Sequence, residues 1–260
     1  GFFFSCITPS ASGGQPMQIY YMKKEKIPIP VSTVILMIVT ITYKFVLVAV
    51  GIGIAVFGRG FLHRYLEGIL PVFYLGLALN IFCVTFMTVL VFHPLLARTF
   101  LVKGLNILEK MHLLRKKEGR LKKLEDSMDV YHDTAEYLKE HPKVIINVIG
   151  ITFVQRFALF TVTWFVYRAF SLSTTGFWTV VFLQAVISVS VDMLPLPGGM
   201  GISETLFLTI FQPVFGNLLL PGMILSRGLG YYGELFISAF FTVITQLTIG
   251  QKGENKEIIK

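Results

Sequence analysis

The chain has 260 residues, of which 54% are hydrophobic, 14% aromatic and only 15% charged, and its mean hydropathy is +0.69. A soluble domain carries about 25% charged residues to cover its surface, so this composition excludes a soluble globular protein. The net charge of +8 does not indicate nucleic-acid binding, because the basic residues flank apolar stretches and no nucleic-acid-binding motif accompanies them. Attraction to anionic lipid headgroups explains the charge more simply.

Five apolar stretches are long enough to cross a membrane, because a bilayer core of about 30 Å needs roughly 20 residues of helix. In chain order they are Ile27–Phe57, Leu70–Val91, Val144–Val166, Phe177–Leu194 and Leu218–Leu247.

Two further apolar segments, Gly1–Met22 and Pro195–Phe215, carry Pro and Gly in the middle of hydrophobic sequence. Non-helical backbone at membrane depth must be buried in protein or line a wet cavity. We therefore predict two re-entrant or broken helices. The expected fold is an all-α polytopic integral membrane protein, with about five spanning helices and the two broken segments arranged as an inverted repeat.

The one long polar segment, residues 98–143, separates the two membrane halves, 1–97 and 144–250. It carries 11 basic and 8 acidic residues and has leucines at helical-face spacings, which predicts a cytoplasmic amphipathic helical connector. Two interpretations of this segment stay open, a solvated connector and a membrane sensor. Residues 251–260 are expected to form a cytoplasmic tail.

The most informative motif occurs twice, as ITPSASGGQPMQ at 7–18 and as MLPLPGGMGISE at 193–204. A basic residue follows each Gly-Gly pair within the next apolar stretch, Lys44 in the first half and Arg227 in the second. Corresponding Pro/Gly-broken segments in two halves indicate a transporter built from internal repeats. A helix that begins after such a loop offers free N–H groups to an anion. The alternative is that Gly-Gly only permits tight helix crossing.

These motifs resemble those of the lysylphosphatidylglycerol synthetase transmembrane family. PLPGGMGISE at 195–204 is similar to the family signature P-x-P-G-G-x-G-x-x-E, and TPSASGGQP at 8–16 is similar to its first-half counterpart T-P-S-x-x-G-G-x-P. The step Ser226-Arg227 followed by Tyr231 or Tyr232 matches a further recurrent feature. The family includes flippase-like proteins and the membrane half of the bacterial multiple peptide resistance factor.

The resemblance implies a multi-pass protein of the bacterial plasma membrane that translocates phospholipid between leaflets. Its expected substrate is lysylphosphatidylglycerol or a related charged lipid, and its expected role is a contribution to resistance against cationic antimicrobial peptides. Family members generally have further helices before the first motif, and the synthetase has a soluble acyltransferase domain that these residues do not resemble. Two alternatives remain open: phosphatidylglycerol lysyltransferase with its catalytic domain outside this chain, and a membrane scaffold that does not transport.

Ionisable side chains inside a bilayer cost about 2.5–3.5 kcal/mol each on insertion scales, so they require partners or a pathway. We expect the lipid phosphate near Lys44, Arg227 and the N–H groups after the two Gly-Gly pairs, and a cationic headgroup near Glu204 and Asp192. The predicted lipid-binding residues come from both loops and from the charged positions within the spans: Ser10, Ser12, Gly13, Gly14, Gln15, Lys44, Arg156, Asp192, Pro195, Pro197, Gly198, Gly199, Gly201, Glu204 and Arg227.

No catalytic residue, metal-ligand set or cofactor motif is predicted from the sequence. The candidate partners are anionic and aminoacylated phospholipids, a separate or fused aminoacyltransferase, and a second copy of the chain.

The distribution of basic residues predicts the orientation. Lys23, Lys24 and Lys26, the segment 98–143 and the tail should all be cytoplasmic, because each is short and close to a span. A cysteine at Glu118 should therefore react with an impermeant thiol reagent only after intact cells are permeabilised. Labelling of that cysteine from outside intact cells would contradict this topology.

Overall fold

The computed structural model describes residues 1–8, 13–93, 96–99, 102–103, 120–194 and 199–257. Every secondary-structure element in these ranges is helical, as predicted. They include a 3₁₀ turn at Gly216–Leu218 and a π-helix at Gly228–Tyr232. The α-helices are α1 Phe2–Ile7, α2 Gly14–Lys24, α3 Ile29–Phe57, α4 Arg59–Tyr65, α5 Leu70–Phe92, α6 Arg120–Glu140, α7 Pro142–Ala169, α8 Phe177–Val191, α9 Ile202–Ile210, α10 Gln212–Phe215, α11 Leu219–Arg227 and α12 Gly233–Glu257.

Three helices of the described chain, α3, α5 and α7, are long and apolar enough to cross a membrane. A fourth crossing is obtained if α9 and the helical run Gln212–Thr248, which are bent by 53° relative to each other, count as one span. The prediction of about five spans is therefore not confirmed; the described residues provide three or four candidates. The predicted span at 177–194 is instead α8, whose 15 residues fall short of the roughly 20 that a crossing needs.

The predicted last span, 218–247, is helical but interrupted. The π-helix breaks it at Gly228–Tyr232, where two glycines weaken the α-helix. The chain is also broken at both Gly-Gly segments, into α1 and α2 in the first half and before α9 in the second. The inverted repeat itself is not confirmed by these elements and stays a prediction.

The helix α3 occupies the centre of the bundle and packs against α2, α5, α6, α7 and α8. Its buried Leu47 belongs to a core that also contains Phe73 of α5, Val186 of α8 and Phe207 of α9. Large apolar side chains on the outer faces are exposed instead, such as Ile151 of α7 and Phe236 of α12. An apolar exterior of this extent is expected for helices that face lipid.

The described part of the polar connector, α6, is an amphipathic helix whose apolar face is covered by the bundle. Met128, Tyr131 and Ala135 are buried in a cluster with Val34 and Ile38 of α3. The hydroxyl of Tyr131 also donates a hydrogen bond to the carbonyl oxygen of Leu90, at 3.3 Å. Between Asp126 and Glu140, where the exposure of the side chains is described, all five acidic residues are exposed: Asp126, Asp129, Asp133, Glu136 and Glu140. The apolar face of α6 therefore packs on the bundle, and both interpretations of the segment, connector and membrane sensor, stay predictions.

Two glycines in the spans differ in the space around them, which gives a matched pair of variants. A Cβ on Gly76 of α5 would lie 2.5 Å from the carbonyl oxygen of Val189 and 2.6 Å from Cα of Ser190, whereas one on Gly53 of α3 would meet no atom within 4 Å. Gly76→Ala should lower the free energy of unfolding by about 1–3 kcal/mol, because α5 and α8 must separate. Gly53→Ala should raise it by up to about 1 kcal/mol through helix propensity. Thermal unfolding in detergent measures both, and shifts of the same sign would contradict this packing.

Candidate functional site

A cavity of about 770 Å³ lies within the bundle, between the two broken segments. Its volume is in the range of small-molecule binding sites. The lining comes from α1, α2, α3, α7 and α8 and from the helical run after α10. The predicted site residues that line it are Gln15, Lys44, Arg156, Asp192, Gly199 and Arg227.

A buried ion pair joins α3 to the residue that follows α8. Nζ of Lys44 lies 2.5 Å from Oδ2 of Asp192, and the two side chains are only 10% and 11% exposed. The other carboxylate oxygen of Asp192 accepts a hydrogen bond from the hydroxyl of Tyr43. Since an unpaired charge at this depth would be costly, each partner holds the other in place.

A second ion pair joins α9 to α11. Nε and Nη2 of Arg227 both lie 2.8 Å from Oε1 of Glu204. Oε2 of Glu204 accepts hydrogen bonds from the backbone N–H of Gly201, at 2.7 Å, and from the hydroxyl of Ser203, at 3.0 Å. Glu204 therefore caps the first turn of α9 and positions Arg227, and donors occupy both of its oxygens.

The two Gly-Gly segments use glycine for different physical reasons. Gly199 and Gly201 have φ angles of +66° and +85°, which lie in the left-handed region that β-branched and bulky residues avoid. Gly13 instead has an ordinary helical φ of −80°. A Cβ on Gly14 would overlap Oγ of Ser5, so the first pair of glycines permits close packing of α1 on α2.

The other predicted site residues are placed as follows. Gly13 and Gly14 lie at the start of α2, and Gly201 and Glu204 lie at the start of α9; none of the four is among the residues that line the cavity. Nε2 of Gln15 donates a hydrogen bond to Oγ1 of Thr40, at 3.1 Å, which ties α2 to α3. The remaining predicted residues lie outside the described residues: Ser10, Ser12, Pro195, Pro197 and Gly198.

The cavity also contains residues that sequence reasoning did not assign to the site. Tyr43 supports both Asp192, through its hydroxyl, and Arg156, whose guanidinium lies 4.2 Å from the centre of the Tyr43 ring. Ser226 and Glu234 line the cavity as well. Ser226 was visible as part of the Ser-Arg step and Glu234 as an acidic residue within an apolar stretch, whereas no signal marked Tyr43 apart from its place before Lys44.

Among the described residues, no group of three His, Cys, Asp or Glu side chains lies close enough to hold a metal ion. The side chains that line the cavity offer ionic and hydrogen-bonding chemistry: three are cationic, Lys44, Arg156 and Arg227, and two are acidic, Asp192 and Glu234. Such a lining suits a charged, water-soluble group in the middle of an apolar bundle.

Comparison with known proteins gives one family. The family model described as the lysylphosphatidylglycerol synthase TM region matches residues 1–238. No curated protein and no solved structure matches the chain.

The buried pair of Lys44 and Asp192 predicts strong non-additivity. Lys44→Met or Asp192→Asn alone should each lower the free energy of unfolding by about 3–5 kcal/mol, because each leaves a buried charge unpaired. The double variant should lose much less than the sum of the two. The exposed pair His132 and Glu136 of α6 is the control, for which the same cycle should show little coupling. Additive losses at Lys44 and Asp192 in thermal unfolding would contradict the ion pair.

Proposed function

The chain belongs to the lysylphosphatidylglycerol synthase transmembrane family, and we propose that it moves a phospholipid with a charged headgroup between the two leaflets of a membrane. We further propose that the membrane is the bacterial plasma membrane and that the lipid is lysylphosphatidylglycerol or a related aminoacylated lipid. Moving such a lipid outwards would make the cell surface less negative and would weaken the binding of cationic antimicrobial peptides.

The observation that carries the proposal is the charged cavity inside an apolar bundle. A headgroup that crosses the hydrocarbon core alone loses its hydration, at a cost similar in kind to that of a charged side chain. A cavity of about 770 Å³ is large enough for a headgroup, and its charged lining replaces the lost water. The acyl chains can stay in the surrounding lipid, against the exposed apolar faces of the helices.

The way in which both broken segments contribute to the cavity supports a transporter over a scaffold. Gln15 of the first segment and Gly199 of the second face the same space. In transporters with inverted repeats, the substrate site lies between two such segments, and one half rocks against the other to open the site to alternate sides. We propose the same arrangement here. The two ion pairs would then hold the second broken segment at two points, against α3 and against α11, in one of these states.

Transport in vesicles tests the proposal. The purified chain, reconstituted in liposomes, should accelerate the exchange of fluorescent lysylphosphatidylglycerol between leaflets, measured by quenching of the outer leaflet. Gly199→Val should slow this exchange by about tenfold to a hundredfold, because a β-branched residue in a left-handed conformation costs about 1–3 kcal/mol and displaces the loop. Gly150→Val is the matched control, since a Cβ there meets no atom within 4 Å.

Two outcomes of this assay, and one outcome of a separate lysine-transfer assay, are informative. Exchange at the rate of protein-free liposomes would contradict the translocase. Exchange at the native rate by Gly199→Val would show that the second loop only packs helices. Transfer of lysine from lysyl-tRNA to phosphatidylglycerol by the purified chain, without exchange, would support the transferase instead.

A further inference from the structure

Two buried hydrogen-bond donors in the cavity have no partner among the described residues. They are Nε of Arg156 and Oγ of Ser226, and the only other buried polar side-chain atom without a partner in the described chain is Oδ1 of Asn80, outside the cavity. Ser226 as a whole is 7% exposed. Buried donors are nearly always satisfied in folded proteins, so two unsatisfied ones that line one cavity indicate a missing acceptor.

These donors are held in place by the surrounding helices. Arg156 lies on α7 and Ser226 on α11, and these two helices pack against each other. The ring of Tyr43 lies 4.2 Å from the Arg156 guanidinium and fixes its orientation. Since Tyr43 is itself bonded to Asp192, the guanidinium is oriented before any ligand binds. A guanidinium and a hydroxyl together match the oxygens of a phosphate group.

The cavity also contains an acidic side chain, that of Glu234, in addition to the two unsatisfied donors. It lines the same cavity, and no hydrogen bond or ion pair at bonding distance joins it to another described residue, although the guanidinium of Arg156 attracts it electrostatically. The acidic groups Asp192 and Glu204 are already paired with Lys44 and Arg227. Arg156 and Glu234 attract each other without an ion pair at bonding distance, so each of them can still bind a group of a ligand.

We propose that Arg156 and Ser226 bind the phosphate of a phospholipid headgroup and that Glu234 binds an amine on the same headgroup. The cavity then selects phospholipids that carry both groups, and it rejects anionic lipids without an amine, whose only charge Glu234 repels. This assignment rests on the proposed function, since it takes the ligand to be a phospholipid. The sequence predicted that Lys44 and Arg227 bind the phosphate and that Glu204 and Asp192 bind the cationic group. The structure instead pairs Lys44 with Asp192 and Arg227 with Glu204.

Binding of two short-chain lipids to the purified chain in detergent tests this assignment. Dioctanoyl phosphatidylethanolamine carries a phosphate and an amine, whereas dioctanoyl phosphatidylglycerol carries a phosphate alone. The unmodified chain should bind the first about tenfold or more tightly than the second, as expected for one additional charge-assisted hydrogen bond. Calorimetry or native mass spectrometry measures both affinities in the same preparation.

The variants separate the two halves of the site. Glu234→Gln should remove the preference, by weakening the binding of phosphatidylethanolamine and leaving that of phosphatidylglycerol unchanged or stronger. Ser226→Ala and Arg156→Gln should weaken both lipids by similar factors; if Arg156→Gln does not fold, Ser226→Ala alone tests the phosphate half. Glu140→Gln on the exposed face of α6 is the control and should change neither affinity.

The result that overturns the assignment is a Glu234→Gln variant that keeps the full preference or weakens both lipids equally. The vesicle assay separates this failure from that of the proposed function. If the lipid preference depends on Glu234 but the chain moves no lipid, the binding site is supported and the transport function is contradicted. If the chain exchanges lipid but its lipid preference does not depend on Glu234, the transport function is supported and the binding site is contradicted.

Discussion

The ion pair between Lys44 and Asp192 is the constraint on which the rest of the site depends. Its side chains are about nine-tenths buried within helices whose outer faces are apolar, so each charge depends mainly on the other for a partner. The pair forms only if the middle of α3 meets the chain immediately after α8, and this contact fixes where the second broken segment begins. Tyr43, next to Lys44, bonds the same carboxylate and carries the Arg156 guanidinium on its ring. The contact between Lys44 and Asp192 therefore positions the start of the second broken segment, the side chain of Tyr43 in the cavity wall and the guanidinium of Arg156.

The second ion pair, between Arg227 and Glu204, positions the cavity residues at the end of α11. Glu204 caps α9 and holds Arg227 at the end of α11, immediately before the π-helix that leads to Glu234. Because each pair is neutral, the cavity is not simply a basic pocket, although the whole chain carries a net charge of +8. Its unpaired groups are opposite in sign, and this balance is the physical basis for expecting a headgroup with both charges. π-Helices often occur at functional sites, and this one lies between Ser226 and Glu234.

The sequence was sufficient for the features that depend on local composition. The long apolar helices α3, α5 and α7 were predicted to within a few residues, because about 20 apolar residues in a row specify a span. The length of α8 was overestimated, because apolar residues continue to Leu194 while the helix ends at Val191, where the chain turns towards Lys44. That turn depends on a partner 148 residues away, which no local pattern reveals. The two Gly-Gly pairs look alike in sequence, yet one is needed for close packing and the other for positive φ angles, since only the three-dimensional environment separates the two roles.

Cryo-electron microscopy of the chain in lipid nanodiscs that contain phosphatidylethanolamine tests this account most directly. The account predicts density for a headgroup in the cavity, with its phosphate at Arg156 and Ser226 and its amine at Glu234, while the Lys44–Asp192 and Arg227–Glu204 pairs remain intact on either side. A cavity that contains only solvent, with Lys44 and Asp192 separated from each other, would contradict it.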